Sequence, residues 1–201
     1  MSRLLVATTN AGKVAELRPL LAPLGWELLG LSDVGPQSVP REDGATFAEN
    51  AAAKALHYAR ATGLDVLADD SGLEVDALGG APGVHSARFA GPDATDAANN
   101  ALLLERLAGV SERTARFRCS LCLVRDGRVA VAVDGVCEGR LLEAPRGLGG
   151  FGYDPLFVPE ATDASGRSFA ELERREKAAL SHRGRAVAAL VAALGAAEDA
   201  S

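Results

Sequence analysis

The sequence predicts an α/β protein built on a central sheet, and three stretches carry that prediction. Leu64 to Ala68 is short and mostly apolar and follows Gly63, so it reads as a buried strand that delivers Asp69 and Asp70 to its carboxyl end. Arg3 to Thr8 reads as another strand, set by a very short turn before the helix-like run KVAELRPLLAPL. Residues 114 to 125 and 128 to 138 are strand-like runs flanking Asp126-Gly127, a hairpin signal. In open α/β sheets ligands sit at the carboxyl ends of strands, which directs attention to the two aspartates. Successive strand side chains point to opposite faces, so Asp69 and Asp70 are expected to have different roles.

In chain order, the junction Thr8 to Lys13 places the free N–H groups of a helix N-terminus at the end of the first strand. That arrangement suits phosphate, with Lys13 in reach of the same anion. An ordinary turn capped by Asn10 accounts for these residues equally well. A Walker-type loop is rejected, because Ala7 stands where that motif needs a glycine and Val14 where it needs a hydroxyl. Pro19 should bend or shorten the helix, and Pro23 with Gly25 ends it. Trp26 to Leu31 is a second strand; residues 32 to 45, rich in Gly and Pro, form a loop carrying Glu42 and Asp43. Thr46-Phe-Ala-Glu49 supplies a capping box for an alanine-rich helix to about Thr62, on which Asn50 and Lys54 share a face. Gly72 to Leu78 alternates as a strand, paired with Leu64 to Ala68 or continuing it past a bend, and a glycine-rich loop follows. Thr95 to Leu107 is a helix with Asp96 near its start. The last third holds RGLGGFGYDPLF and two helical stretches, about 168 to 179 and 182 to 194, separated near Ser181-His182-Arg183.

A length of 201 residues suits one domain, residues 1–201, of two lobes at most. With 48% hydrophobic and 24% charged residues the composition is that of a soluble globular protein. No run approaches the ~20 apolar residues needed to cross a membrane. Met-Ser-Arg leads straight into a strand-like LLVAT without a signal-peptide pattern, so the expected compartment is cytoplasmic. Cys119 and Cys122 have C-x-x-C spacing but lie on opposite faces of one strand, and with Cys137 they read as buried small hydrophobes. A net charge of -6 disfavours non-specific nucleic-acid binding, although a few basic groups in one cleft can still hold a phosphate.

Gly147, Gly149 and Gly152 satisfy G-x-G-x-x-G, but Tyr153-Asp154-Pro155 follows where a dinucleotide fold requires a helix. What remains is an aromatic pair, Phe151 and Tyr153, beside Asp154: either a stacking surface for a planar base or a tight loop with its rings in the core. Glu42, Asp69, Asp70, Glu74 and Asp76 supply carboxylates without a histidine or cysteine cluster, which favours magnesium among metals. Glu74 reads as solvated strand face and Asp76 is open between the two roles. Lys177, His182 and Arg183 are either a solvated helix surface and cap or anion and base ligands. A serine hydrolase is rejected, since DDSGL lacks the glycine-flanked elbow.

Taken together, TTNAGK, EDGATFAENAAAKA, ADDSGLEVDALGGAPGVHSARFAG, GGFGYDP and EKAALSHRG, in that order and spacing, resemble the inosine and xanthosine triphosphate pyrophosphatase family. The resemblance spans nearly the whole chain. It implies a mixed α/β sheet flanked by helices in two lobes with a central cleft, a homodimer, and Mg2+-dependent hydrolysis of deaminated purine nucleoside triphosphates (dITP, ITP, XTP) to monophosphate and pyrophosphate. Carried across by position, Thr8, Thr9, Asn10, Ala11, Gly12 and Lys13 line the triphosphate site. Glu42 and Asp70 hold the metal, and Asp70 is also the general base. Ser71, Phe151, Gly152, Tyr153, Asp154, Lys177, His182 and Arg183 match substrate-binding positions, with His182 and Arg183 placed to read a 6-oxo group. Asp69 becomes the structural carboxylate of the pair. Many members carry two acidic residues where this chain has Arg41-Glu42, which makes Asp43 a substitute candidate for Glu42. The alternatives are a pyrophosphatase for modified pyrimidine nucleotides and a non-catalytic nucleotide sensor.

Overall fold

The computed structural model describes residues 2–198. Its strands are β1 (Arg3–Val6), β2 (Glu27–Gly30), β3 (Asp65–Val75), β4 (Thr114–Arg125), β5 (Arg128–Leu141) and β6 (Phe157–Pro159), in one sheet of order β2-β1-β3-β4-β5-β6. β1 pairs in parallel with β2 and β3, and β6 lies antiparallel on β5, so the sheet is mixed. The helices are α1 (Ala11–Leu21), α2 (Phe47–Thr62), α3 (Asp96–Arg106), α4 (Arg174–Leu180) and α5 (His182–Glu198).

The chain divides into two compact units whose boundaries fall inside β3, β4 and β5. The first comprises Met1–Asp70, Cys119–Gly135 and Arg183–Ser201; the second comprises Ser71–Arg118 and Val136–His182. In the first unit the period-two alternation of the strands sorts side chains into two apolar layers. Leu4, Val6, Leu67, Cys119, Leu121 and Leu123 pack with Leu17 and Leu21 of α1 and Val187 and Leu190 of α5. Leu5, Ala7, Val66, Ala68, Cys122 and Val124 pack with Ala51, Ala55, Tyr58 and Ala59 of α2. Strands covered on both faces must be apolar at nearly every position, which is why LLVA and VLA read as unbroken runs. The two cysteines fall in different layers, as their odd spacing requires. The second unit has its own core, in which Leu73 and Val75 of β3, Leu103 of α3 and Leu107 just past its end meet Phe117, Tyr153, Phe157 and Phe169.

Local signals act largely as expected. Asn10 caps α1 by accepting from the Lys13 N–H at 3.0 Å, and Pro19 sits inside the helix without ending it. Thr46 caps α2, accepting from the Glu49 N–H at 3.1 Å, while the Glu49 carboxylate accepts from Ala45, one residue earlier than a capping box requires. Asp126 and Gly127, at φ of 49° and 72°, make the turn between β4 and β5. One open alternative is resolved, with Gly72 onward continuing the preceding strand, and two elements differ from the sequence reading. β3 is one strand through Asp65–Val75, and at Gly72 it passes so close to Ser86 and the Gly83 carbonyl that a Cβ would collide with both. The stretch expected as a helix from 168 opens instead as a 3-10 turn, Phe169–Glu171, in which Glu171 accepts from the Ser168 N–H at 2.8 Å. β6 is only three residues long and carries no alternation from which to read it. Among the described residues no helix is long and apolar enough to cross a membrane.

Candidate functional site

Asp69 and Asp70, consecutive on β3, face different partners. Asp69 is 1% exposed, and its carboxylate accepts from Arg183 Nε at 2.8 Å and pairs with Lys13 Nζ at 2.7 Å; the Cys119 thiol donates to it at 3.2 Å. Burial alone pushes the Asp69 carboxyl up, but Arg183 and Lys13 outweigh it and hold the group well below the usual carboxylate range. Arg183, also 1% exposed, reaches Glu16 Oε2 at 2.5 Å through Nη1. This guanidinium, expected to read a base, is thus held by two carboxylates from β3 and α1. Lys13 is tied to Asp69 at the start of α1, beside the Thr8 to Gly12 turn, in which Thr9, Asn10 and Ala11 are exposed and Thr8 Oγ1 accepts from the Asn10 N–H at 3.1 Å.

Asp70 is buried, with Oδ1 3.8 Å from Lys54 Nζ. The same ammonium lies 2.8 Å from Glu42 Oε1 and donates to the Asp69 carbonyl at 3.2 Å. Two carboxylates therefore converge on one cation. Burial pushes the Asp70 carboxyl up, Lys13 and Lys54 pull against it, Glu42 adds to it, and the net displacement is upward. The nearby Asn50 amide also pulls downward, although its Nδ2 and Asp70 Oδ2, both buried, do not meet in hydrogen-bond geometry. Asn50 Oδ1 accepts from the Gly44 N–H at 2.8 Å, which fastens the loop carrying Glu42 to α2. Asp43 is exposed, so Glu42 is the loop carboxylate directed toward Asp70.

These donors suit a hard cation. Glu42 and Asp70 offer oxygen only, and Asp70 Oδ2 is a buried acceptor with no hydrogen-bond partner among the described residues. No group of three or more His, Cys, Asp or Glu side chains converges as a metal cage among those residues. Magnesium, which typically takes one or two carboxylates and completes its shell with water and substrate phosphate, fits this set. The other acidic candidates stand elsewhere: Asp76 pairs with Arg116 at 2.8 Å, and Glu74 lies 4.0 Å from Arg116 and 3.7 Å from Arg118.

The second unit gathers the remaining predicted residues. Asp154, 2% exposed, accepts from the Phe151 N–H at 2.8 Å and pairs with the buried Lys177. Lys177 Nζ lies over the Phe151 ring at 5.0 Å and the Phe169 ring at 5.4 Å, within cation–π range. The expected aromatic pair separates. Phe151 is half-buried, whereas the Tyr153 ring lies in the core and its hydroxyl donates to the Ser86 carbonyl at 2.8 Å. His182, 4% exposed, stacks on Phe117 with centroids 4.7 Å apart and planes 11° from parallel. Gly152 donates its N–H to Asp96 Oδ2 at 2.6 Å and accepts from Asn100 Nδ2 at 2.9 Å. Ser71 is half-buried on β3, directly after Asp70.

Lys54, Glu16, Asp96 and Asn100 carry no role in the sequence reading. The helical spacings 50/54, 13/16 and 96/100 were the available signal, since residues three or four apart share a face. What each face meets was not legible.

The Ham1 family model matches residues 4–193. A dITP/XTP pyrophosphatase of Thermus thermophilus is 56% identical over 194 residues, covering 95% of this chain and 91% of the relative. That of an Exiguobacterium species is 54% identical over 190 residues, covering 94% and 95%. A solved HAM1 protein from Coxiella burnetii aligns with a TM-score of 0.86 at 41% identity, covering 97% of this chain and 99% of the other.

Proposed function

Because the chain belongs to the Ham1 family, we propose that it hydrolyses dITP, ITP and XTP to the monophosphate and pyrophosphate. The observation that carries the reading is Asp70: a buried carboxylate aligned with Glu42 on one ammonium, with one oxygen left to accept a proton or a cation. In the reaction a water oxygen bonds to the α-phosphorus while the bond to the oxygen bridging to the β-phosphorus breaks, and that oxygen leaves on pyrophosphate. Asp70, the buried carboxylate with a free oxygen, takes the water proton. Lys13 and the first-turn N–H groups of α1 neutralise charge on the triphosphate. Glu42 and Asp70 are the residues that would hold Mg2+, which when bound supplies charge neutralisation at the phosphate oxygens. Asp69 keeps Lys13 and Arg183 in place.

Base recognition is assigned to Phe151, Lys177 and His182 of the second unit. Donors facing a 6-oxo group reject adenine, whose amino group would leave them unpaired. The homodimer and the treatment of residues 1–201 as one pyrophosphatase domain are supported by the family resemblance. The test is pyrophosphate release from dITP, XTP, dATP and dGTP, with and without magnesium. Rapid release from dITP and XTP alone is expected; equal rates on all four would sink the selectivity, and orthophosphate as product would sink the pyrophosphatase assignment.

A further inference from the structure

Helix α3 grips one residue of the aromatic loop by both of its backbone polar groups. Asp96 Oδ2 accepts from the Gly152 N–H at 2.6 Å, and Asn100 Nδ2 donates to the Gly152 carbonyl at 2.9 Å. The two side chains are four residues apart and therefore project from one face of the helix. Between them they fix the peptide planes on both sides of Gly152, whose φ of 60° places it in the left-handed region. One of these planes carries Phe151. The neighbouring contacts continue the restraint: Asp154 accepts from the Phe151 N–H and pairs with Lys177, and the Tyr153 hydroxyl is anchored on Ser86. Asn100 is 8% exposed, so its amide is already withdrawn from water and its bond to Gly152 does not compete with solvent. Asn99, next to it, holds a different segment, bonding to the Ala90 N–H and the Ala87 carbonyl. Thr95 caps the helix by accepting from the Ala98 N–H at 3.2 Å and takes no part in the grip.

We propose that Asp96 and Asn100 are positioning residues for base selection, setting the place of Phe151 and of the Asp154–Lys177 pair through Gly152. The inference rests on the assignment of base recognition to that loop. It accounts for two polar residues on a helix that the reaction itself does not need.

The experiment compares Asp96→Ala, Asn100→Leu, Asp96→Asn and Thr95→Ala. Amide hydrogen exchange at Gly152 reads the grip directly, and KM, kcat and the dITP-to-dGTP preference read its consequence. Asp96→Ala and Asn100→Leu are expected to speed exchange at Gly152, raise KM for dITP by about tenfold, leave kcat within about twofold, and narrow the base preference. Asp96→Asn keeps an acceptor and should stay near wild type. Thr95→Ala weakens the start of α3 without touching Gly152, so an equal rise in KM there would reduce the effect to helix stability and overturn the proposal. Faster exchange with unchanged KM and preference would overturn it as well. A wild-type enzyme with no dITP preference would sink the base-recognition reading itself, and the exchange data would still report whether the grip exists.

Discussion

Replacing Asp69 by Asn tests the charge arrangement behind the proposed site. The substitution keeps the shape of the side chain and removes the charge that Arg183 and Lys13 share, leaving Arg183, 1% exposed, with Glu16 as its remaining carboxylate in the cluster described above. Breaking a buried ion pair by removing one partner costs about 3–5 kcal/mol, a large share of the ~5–15 kcal/mol that holds a protein folded. For a chain of this length each kcal/mol moves the melting temperature by about 2–4 °C, so thermal unfolding should shift down by about 6–20 °C at pH 7. The pH dependence supplies the control. Asp69 in the folded protein lies well below its ordinary value of 3.8, so the stability from its ionisation is complete above that value and is lost as pH falls toward the folded-state value. The gap between wild type and variant should therefore be full near neutrality and close below about pH 4. A variant melting within about 2 °C of wild type at pH 7, or a gap that keeps its size in acid, would refute the arrangement.

Asp70→Asn is expected to bind nucleotide with near wild-type affinity while losing about 10²-fold or more in turnover, measured by calorimetry and pyrophosphate release; retained turnover removes Asp70 from the chemistry. Gly150→Ala places a methyl group against the Asp154 carboxylate at a φ of 72°, so it should destabilise the protein by about 1–3 kcal/mol and raise KM, read by thermal melts and steady-state kinetics. An unperturbed melt and KM would show that the loop has room to yield.

The elements with strong local chemistry were legible. The apolar runs of β1 and β3 announced strands buried on both faces, Thr46 and Asn10 announced helix starts, and Asp126-Gly127 announced a turn. The two aspartates and the lysine at the start of α1 stood out because few chemistries need such groups together, and Lys13 does meet Asp69 at 2.7 Å, although β3 runs on past both carboxylates to Val75 and does not end at them. The positions that escaped depend on partners far along the chain. Nothing local to SHRG says that Arg183 turns to Asp69 and Glu16, and nothing in GGFGYDP says that Tyr153 faces the core while Phe151 stays half-exposed. Lys54 sat on a recognisable helix face, but its two carboxylate neighbours come from a loop and a strand. Short pieces such as β6 exist only because a neighbouring strand is there to receive them.

The Asp69–Arg183 bond also joins parts of the chain that are synthesised at different times. The two residues are 114 positions apart, and Arg183 and Glu16 are 167 apart. At about 5–20 residues per second, β3 is made roughly 6–23 seconds before the arginine that neutralises it. The first unit is assembled from three separate stretches, of which α5 is the last to be synthesised. During that interval the growing chain carries the Asp69 carboxylate with Lys13 but without Arg183, and burying it remains unfavourable. The buried charge cluster around Asp69 is therefore complete only once α5 has been made.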